Sequence, residues 1–267
     1  MRIIEKKCVG KREDQSLNED ELVITNQYVA IIDGASSAGN IWGKPGGLMA
    51  KSILSQAILE ANVIEDGYEF IRYLNRKLYL AQSENLEAFA DPTKRLMASV
   101  LIYSIETHQV WSYGDCPFLI NGQAFGFDKK VDQMNAMLRA YINFREILAG
   151  SSEEELLMND KGALAIRPLI KIQPVFANKD IPFGYPILDG GELCDSFFCN
   201  HSLRTNDELV MASDGYPILL PTLKDSEDCL SRLLAKDPLC IKYFESVKGC
   251  YSGNTSYDDR TYVRILI

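Results

Sequence analysis

The sequence predicts an α+β fold: a four-layer α-β-β-α sandwich with two central antiparallel β-sheets flanked by helix pairs. Strand-like runs joined by tight turns dominate, the helical stretches come in groups, and several apolar runs stop at an aspartate. A regular βαβα alternation would give a different order. The first two observations favour α+β; the two antiparallel sheets, the sandwich and the flanking helix pairs are implied by a resemblance given below.

Leu22-Val23-Ile24 and Tyr28-Val29-Ala30-Ile31-Ile32 read as two strands joined at Thr25-Asn26-Gln27. The second is apolar throughout, as a buried strand is, and runs into Asp33-Gly34. A Gly/Ser-rich loop over 35–47 follows. Helical spacing then sets in, with Met49, Ile53, Ala57 and Ala61 on one face beside Leu54 and Ile58. Ile71, Leu74 and Leu78 mark a second helix. Residues 97–105 and 108–113 read as a hairpin. After Gly114-Asp115 a short strand over 117–120 closes on Asn121-Gly122. A helix over 131–148 is expected to bury Met134, Met137, Leu138, Tyr141 and Ile142. Residues 208–213 form a strand ending in Asp214-Gly215, 227–247 a helix, and 261–267 the last strand.

The chain has 267 residues, 46% hydrophobic and 24% charged, so a substantial core is possible without disulfides. One domain over 1–267 is expected, with a variable flap at about 125–198. The net charge of -9 argues against nucleic acid or an anionic membrane as partner, since both require a basic footprint. An acidic protein still binds an anionic substrate when cations lie between them. The seven cysteines show no zinc-ligand spacing and are expected to be buried, reduced thiols. The first residues lack an apolar signal core and no apolar run is long enough to span a bilayer, so a cytoplasmic protein is expected.

The chemistry concentrates where apolar strands meet aspartates. Ile32-Asp33-Gly34, Ser213-Asp214-Gly215 and Asp258-Asp259-Arg260-Thr261 are such places, and Glu19-Asp20 precedes the first strand pair. Strand ends are rigid and hold carboxylates at fixed separation. Hard cations such as Mg²⁺ or Mn²⁺ require oxygen ligands of this kind. Without cations, converging carboxylates repel one another.

In order and content these segments resemble the metal-dependent protein phosphatases of type 2C. Asn18-Glu19-Asp20, Ile32-Asp33-Gly34, Tyr113-Gly114-Asp115, Ala212-Ser213-Asp214-Gly215 and Asp258-Asp259-Arg260-Thr261 carry the resemblance, from about residue 8 to the end. It implies the sandwich, a cleft at one end, and two Mn²⁺ or Mg²⁺ ions. Asp33 would bridge the ions and the Gly34 carbonyl would assist. Asp214 and Asp258 would complete one shell; Glu19, with Asp20 nearby, would serve the other. Asp115 matches a weaker third site of some members, and Asp259 stands where Asn is usual, leaving Asp258 and Asp259 as alternatives. Asp33, Asp214 and Asp258 would carry catalysis by a metal-activated water, with no phosphoenzyme. The expected substrate is a phosphoserine or phosphothreonine protein.

Two departures stand out. Gln15 occupies the usual phosphate-clamping arginine position, with Lys11 and Arg12 as nearby substitutes. The usual Asp-Gly-His-Gly-Gly reads Asp33-Gly34-Ala35-Ser36-Ser37, with Gly46-Gly47 much later. The only histidines, His108 and His201, sit in no motif. These departures keep two alternatives open: a catalytically weakened binding or regulatory protein, and a small-metabolite phosphatase.

Overall fold

The computed structural model describes residues 1–35 and 41–267. Its strands are β1 (Arg2–Val9), β2 (Asp20–Ile24), β3 (Tyr28–Ala35), β4 (Met97–Ser104), β5 (Gln109–Tyr113), β6 (Phe118–Ile120), β7 (Gln123–Phe125), β8 (Cys199–Ser202), β9 (Glu208–Ala212) and β10 (Arg260–Leu266). They form two antiparallel sheets, ordered β1-β10-β9-β6-β7 and β2-β3-β4-β5-β8. The helices are α1 (Gly46–Glu60), α2 (Gly67–Gln82), α3 (Leu86–Ala90), α4 (Lys130–Leu148), α5 (Glu153–Met158), α6 (Lys161–Ile172) and α7 (Leu223–Lys236).

The sheets stack through alternate side chains. Val29, Ile31, Leu101 and Tyr103 of one meet Phe118, Leu209, Met211, Val263 and Ile265 of the other. The intervening residues Ala30, Ile32, Val100 and Ile102 face outward onto Leu54, Ile58, Ile71 and Leu74 of α1 and α2. This is why β3 and β4 read as apolar throughout: both faces are covered. Val210, Ala212 and Tyr262 pack toward Leu230 of α7. Asn121 and Gly122 have φ of 51° and 81°, the left-handed pair that a two-residue hairpin turn requires.

Three expectations need correction. The helix expected over 227–247 stops at Lys236. Asp237 precedes a proline, which disfavours helix, and its Oδ2 accepts the N–H groups of Ile241, Lys242 and Tyr243, turning the chain into a loop. In α4 the expected apolar side faces solvent: Met137 is 61% and Tyr141 71% exposed. The buried side carries Arg139 and Asn143 instead, because both bond to the buried Asp160 that caps α6. Of the cysteines, all free thiols, only Cys116 and Cys240 are buried.

Candidate metal centre

Sheet register brings the acidic segments to one end. Asp20 pairs with Asp33 across β2 and β3, and Asp33 with Ser99 across β3 and β4. Tyr113 pairs with Val100, so Asp115 emerges two residues past that pair. Ala212 pairs with Tyr262, so Asp214, just after β9, and Asp258, just before β10, leave the other sheet side by side.

The carboxylates then divide by what they touch. Asp20 is buried and accepts the hydroxyls of Ser213 (2.6 Å) and Thr261 (3.0 Å) at one oxygen. Loss of water, opposed by the Ser213 hydroxyl and reinforced by Asp258 and Asp214, pushes its carboxyl up to about 8. Asp259 accepts the backbone N–H of Lys11 (2.7 Å) and of Glu19 (3.0 Å), fastening the N-terminal segment to the last strand. Asp115 accepts the Ser99 hydroxyl at 2.6 Å and the Lys129 ammonium at 3.0 Å. Burial would raise its carboxyl, but Lys129 and Ser99 hold it below the usual range. Asp258 accepts Lys11 Nζ at 2.9 Å and the Asp259 N–H at 2.9 Å on Oδ1, and the Lys248 ammonium on Oδ2. Burial works against its charge, yet Lys248 and Lys11 together hold it low.

Asp33 and Asp214 are different. Among the described residues neither side chain has a hydrogen-bond partner or an ion pair within contact distance. Loss of water raises the Asp33 carboxyl well above its usual range, and Asp20, Asp115 and Asp258 add repulsion against the pull of Lys248. Asp214 keeps exposed surface, so water reaches it. Partial loss of hydration, then the charges of Asp33 and Asp258, still raise it well above normal. Two crowded, unsatisfied carboxylates are the donor chemistry that a hard divalent cation stabilises.

Gly34 and Gly47 explain how α1 reaches this place. A Cβ on Gly34 would lie 2.4 Å from the Gly47 carbonyl oxygen, and one on Gly47 would lie 2.3 Å from Glu19 Oε1 and 2.6 Å from the Gly34 carbonyl oxygen. Gly46-Gly47 therefore returns to Gly34 in space despite the long intervening loop, and brings the Glu19 carboxylate and Gly34 carbonyl together. Ser36 and Ser37, part of the altered motif, lie outside the described residues; Ala35 ends β3. Gly215 likewise admits main chain: its Cβ would lie 2.0 Å from the Asp259 carbonyl oxygen.

Sequence reasoning missed Lys248, which sits in the loop after α7, just past the end of the helix expected over 227–247. Of the two proposed substitutes for the arginine, Lys11 reaches the cleft through Asp258, while Arg12 is exposed. Gln15 is a clip within its own loop, accepting Gly10 N–H (2.7 Å) and donating to the Arg12 carbonyl (2.6 Å). Neither histidine is near: His108 turns the β4–β5 hairpin with φ of 50°, and His201 pairs with Val110 on β8 and packs on Phe118 and Phe125. Both lie toward the opposite end of the sheet. Within 125–198, Tyr185 is buried beneath Lys129, whose ammonium is 4.7 Å from its ring centre.

As arranged, no three or more His, Cys, Asp or Glu side chains among the described residues close on a common point. The charge of Asp33 still bears on Asp214, and the Gly34 carbonyl and Glu19 both border Gly47, so the donor chemistry fits a hard cation in kind although the side chains do not close on one point. No helix among the described residues is long and apolar enough to cross a membrane.

The fold is the one seen in solved serine/threonine phosphatases. The serine/threonine phosphatase PstP/Ppp of Mycobacterium tuberculosis superimposes over 99% of both chains with a TM-score of 0.51 at 14% identity. The catalytic domain of serine/threonine protein phosphatase PstP, solved with two manganese ions, matches 98% of this chain and 97% of its own with a TM-score of 0.50 at 12% identity. No protein-family model and no curated protein matches the chain.

Proposed function

We propose that the chain is a Mn²⁺- or Mg²⁺-dependent phosphatase acting on phosphoserine or phosphothreonine in proteins. The observation that carries this reading is the pair Asp33 and Asp214, contributed by different sheets and left with crowded, unpaired charge among the described residues. The likeness in fold to a phosphatase solved with manganese supports it.

In this reading Asp33 and Asp214 are direct ligands, joined by the Gly34 carbonyl and by Glu19, directly or through water. Asp258 joins when its lysines yield. Asp115, with Lys129 beside it, is the weaker third position. Asp20 and Asp259 act as posts, because Ser213, Thr261 and backbone N–H groups occupy them. Bound divalent ions would lower the pKa of a shared water and neutralise phosphoryl charge. Lys11 supplies positive charge at the cleft edge where Gln15 supplies none. With no histidine near the cleft, aryl phosphates are expected to react more readily than serine phosphates, whose leaving groups need a proton. The cytoplasmic setting belongs to the same proposal.

One observation favours a second reading, a phosphate-binding or regulatory protein with weakened hydrolysis: both oxygens of Asp258 are already paired with lysines. Hydrolysis of p-nitrophenyl phosphate and a phosphothreonine peptide, with Mn²⁺ or EDTA, separates the two. Mn²⁺-dependent turnover lost in Asp214→Asn supports the enzyme. No turnover by folded protein in excess Mn²⁺ supports the binding protein.

A further inference from the structure

We propose that Lys248 is a resident cation of the cleft, competing with a divalent metal ion for Asp258 and so lowering the cleft's metal affinity. The inference rests on the metal-dependent reading of the same site.

Both oxygens of the Asp258 carboxylate are already occupied. Lys248 takes Oδ2, while Lys11 Nζ and the Asp259 N–H take Oδ1, each at 2.9 Å. The Lys248 charge also bears on Asp33 and Asp214, the two carboxylates of the cleft that lack a side-chain partner among the described residues. One ammonium thus serves the three aspartates that the resemblance assigns to metal. An ammonium is a compact point charge on a flexible stem, able to stand in for a cation's charge without its coordination geometry. A metal ion brought to Asp258 would meet that like charge at short range, where repulsion is strongest.

The lysine is held there by construction. Its loop is clamped by the buried Arg139, which donates to the carbonyls of Ser246 and Leu239, each at 2.8 Å. A Cβ on Gly249, the next residue, would lie 2.9 Å from Arg139 Nη2, so the guanidinium lies close against the loop at that point. Cys250 N–H closes the loop on the Pro238 carbonyl at 2.8 Å. The backbone is therefore fixed on both sides of Lys248, and only its side chain needs to move for metal to enter.

The test is Mn²⁺ binding by calorimetry to the full chain, Lys248→Met and Lys248→Arg, with thermal melts in EDTA to establish folding. Lys248→Met is expected to bind Mn²⁺ at least about tenfold more tightly, equivalent to about 1.4 kcal/mol. Lys248→Arg should stay near the unmodified chain. Unchanged Mn²⁺ affinity in folded Lys248→Met, with a raised KM for phosphopeptide, overturns the inference and makes Lys248 a phosphate-holding group. Absence of Mn²⁺ binding by every form overturns the metal reading and this inference with it. Should Lys248→Met not fold, Mg²⁺ titration of the unmodified chain, followed by NMR of the lysine Nζ groups, decides. Displacement of the Lys248 signal at saturation supports competition, and an unmoved signal refutes it.

Discussion

Arg139→Met should be among the most damaging substitutions outside the cleft. Arg139 is fully buried and donates to Asp160 through Nε at 2.8 Å and Nη2 at 2.5 Å, and to the carbonyls of Leu239, Ser246 and Cys240. Methionine approximates its stem but leaves those carbonyls without a donor and Asp160 without its counter-charge. Asp160 retains Asn143 Nδ2 (2.8 Å), Ala163 N–H (2.7 Å) and Tyr251 Oη (3.2 Å), so its charge is partly compensated. Removing one member of a buried pair costs about 3–5 kcal/mol, and these remaining donors place the loss near about 4. For a chain of this size that lowers Tm by roughly 8–16 °C. Calorimetric melts of Arg139→Met, Asp160→Asn and the double variant measure it. The double variant should recover part of the loss, since the unpaired charge is then gone. A single-variant loss under about 1 kcal/mol, or a strictly additive cycle, would refute the claim that this pair holds α4 and α6 to the 237–250 loop.

Asp33 and Asp214 have carboxyls held above their unfolded value near about 3.9 and Asp20 reaches about 8, while Asp115 and Asp258 are held below it; above about pH 5, where the lowered carboxyls are ionised in both states, the metal-free folded state binds more protons than the unfolded chain. Stability of the EDTA-treated protein is therefore expected to fall as pH rises from about 5 to about 8, with a shallower slope in Asp214→Asn, as urea melts at several pH values would show. Gly34→Ala places a methyl 2.4 Å from backbone oxygen of Gly47, and should cost about 1–3 kcal/mol while weakening Mn²⁺ binding by pushing α1 from Glu19. Asp259→Ala frees the Lys11 and Glu19 N–H groups; a loss of about 1–3 kcal/mol, with weaker Mn²⁺ binding by calorimetry, is expected.

The central strands were legible because their signal is local: apolar runs ending at a charge mark β3 and β9 whatever surrounds them. The missed features depend on contacts between distant segments. Gly46-Gly47 looked displaced from Asp33-Gly34 along the chain, and only the packing of α1 on β3 reunites them. Asp258 and Asp259 are neighbours with the same chemistry; the N–H groups of Lys11 and Glu19 distinguish them, and those lie at the other end of the chain. In α4 the larger apolar side chains sit opposite the buried face, so periodicity selected the wrong side. A buried ion pair inverts the usual pattern, and neither Arg139 nor Asp160 advertises its partner. Lys248 was hidden by the same means, on a loop whose shape Asp237 and Arg139 dictate.

These contacts join two parts of the molecule that the sequence leaves separate. Arg139, Asn143 and Asp160 hold α4 and α6 together, and the same guanidinium grips the loop that presents Lys248 to Asp258. Any change that loosens α4 against α6 must therefore also loosen the loop that carries the cation paired with Asp258. The carboxylates at the strand ends are fixed by the sheets, so what varies is the positive charge opposite them. It follows that Arg139→Met should alter Mn²⁺ affinity as well as stability, in the same direction as Lys248→Met, if the fold survives. A purely structural Arg139 would lower Tm and leave the affinity of the folded fraction unchanged.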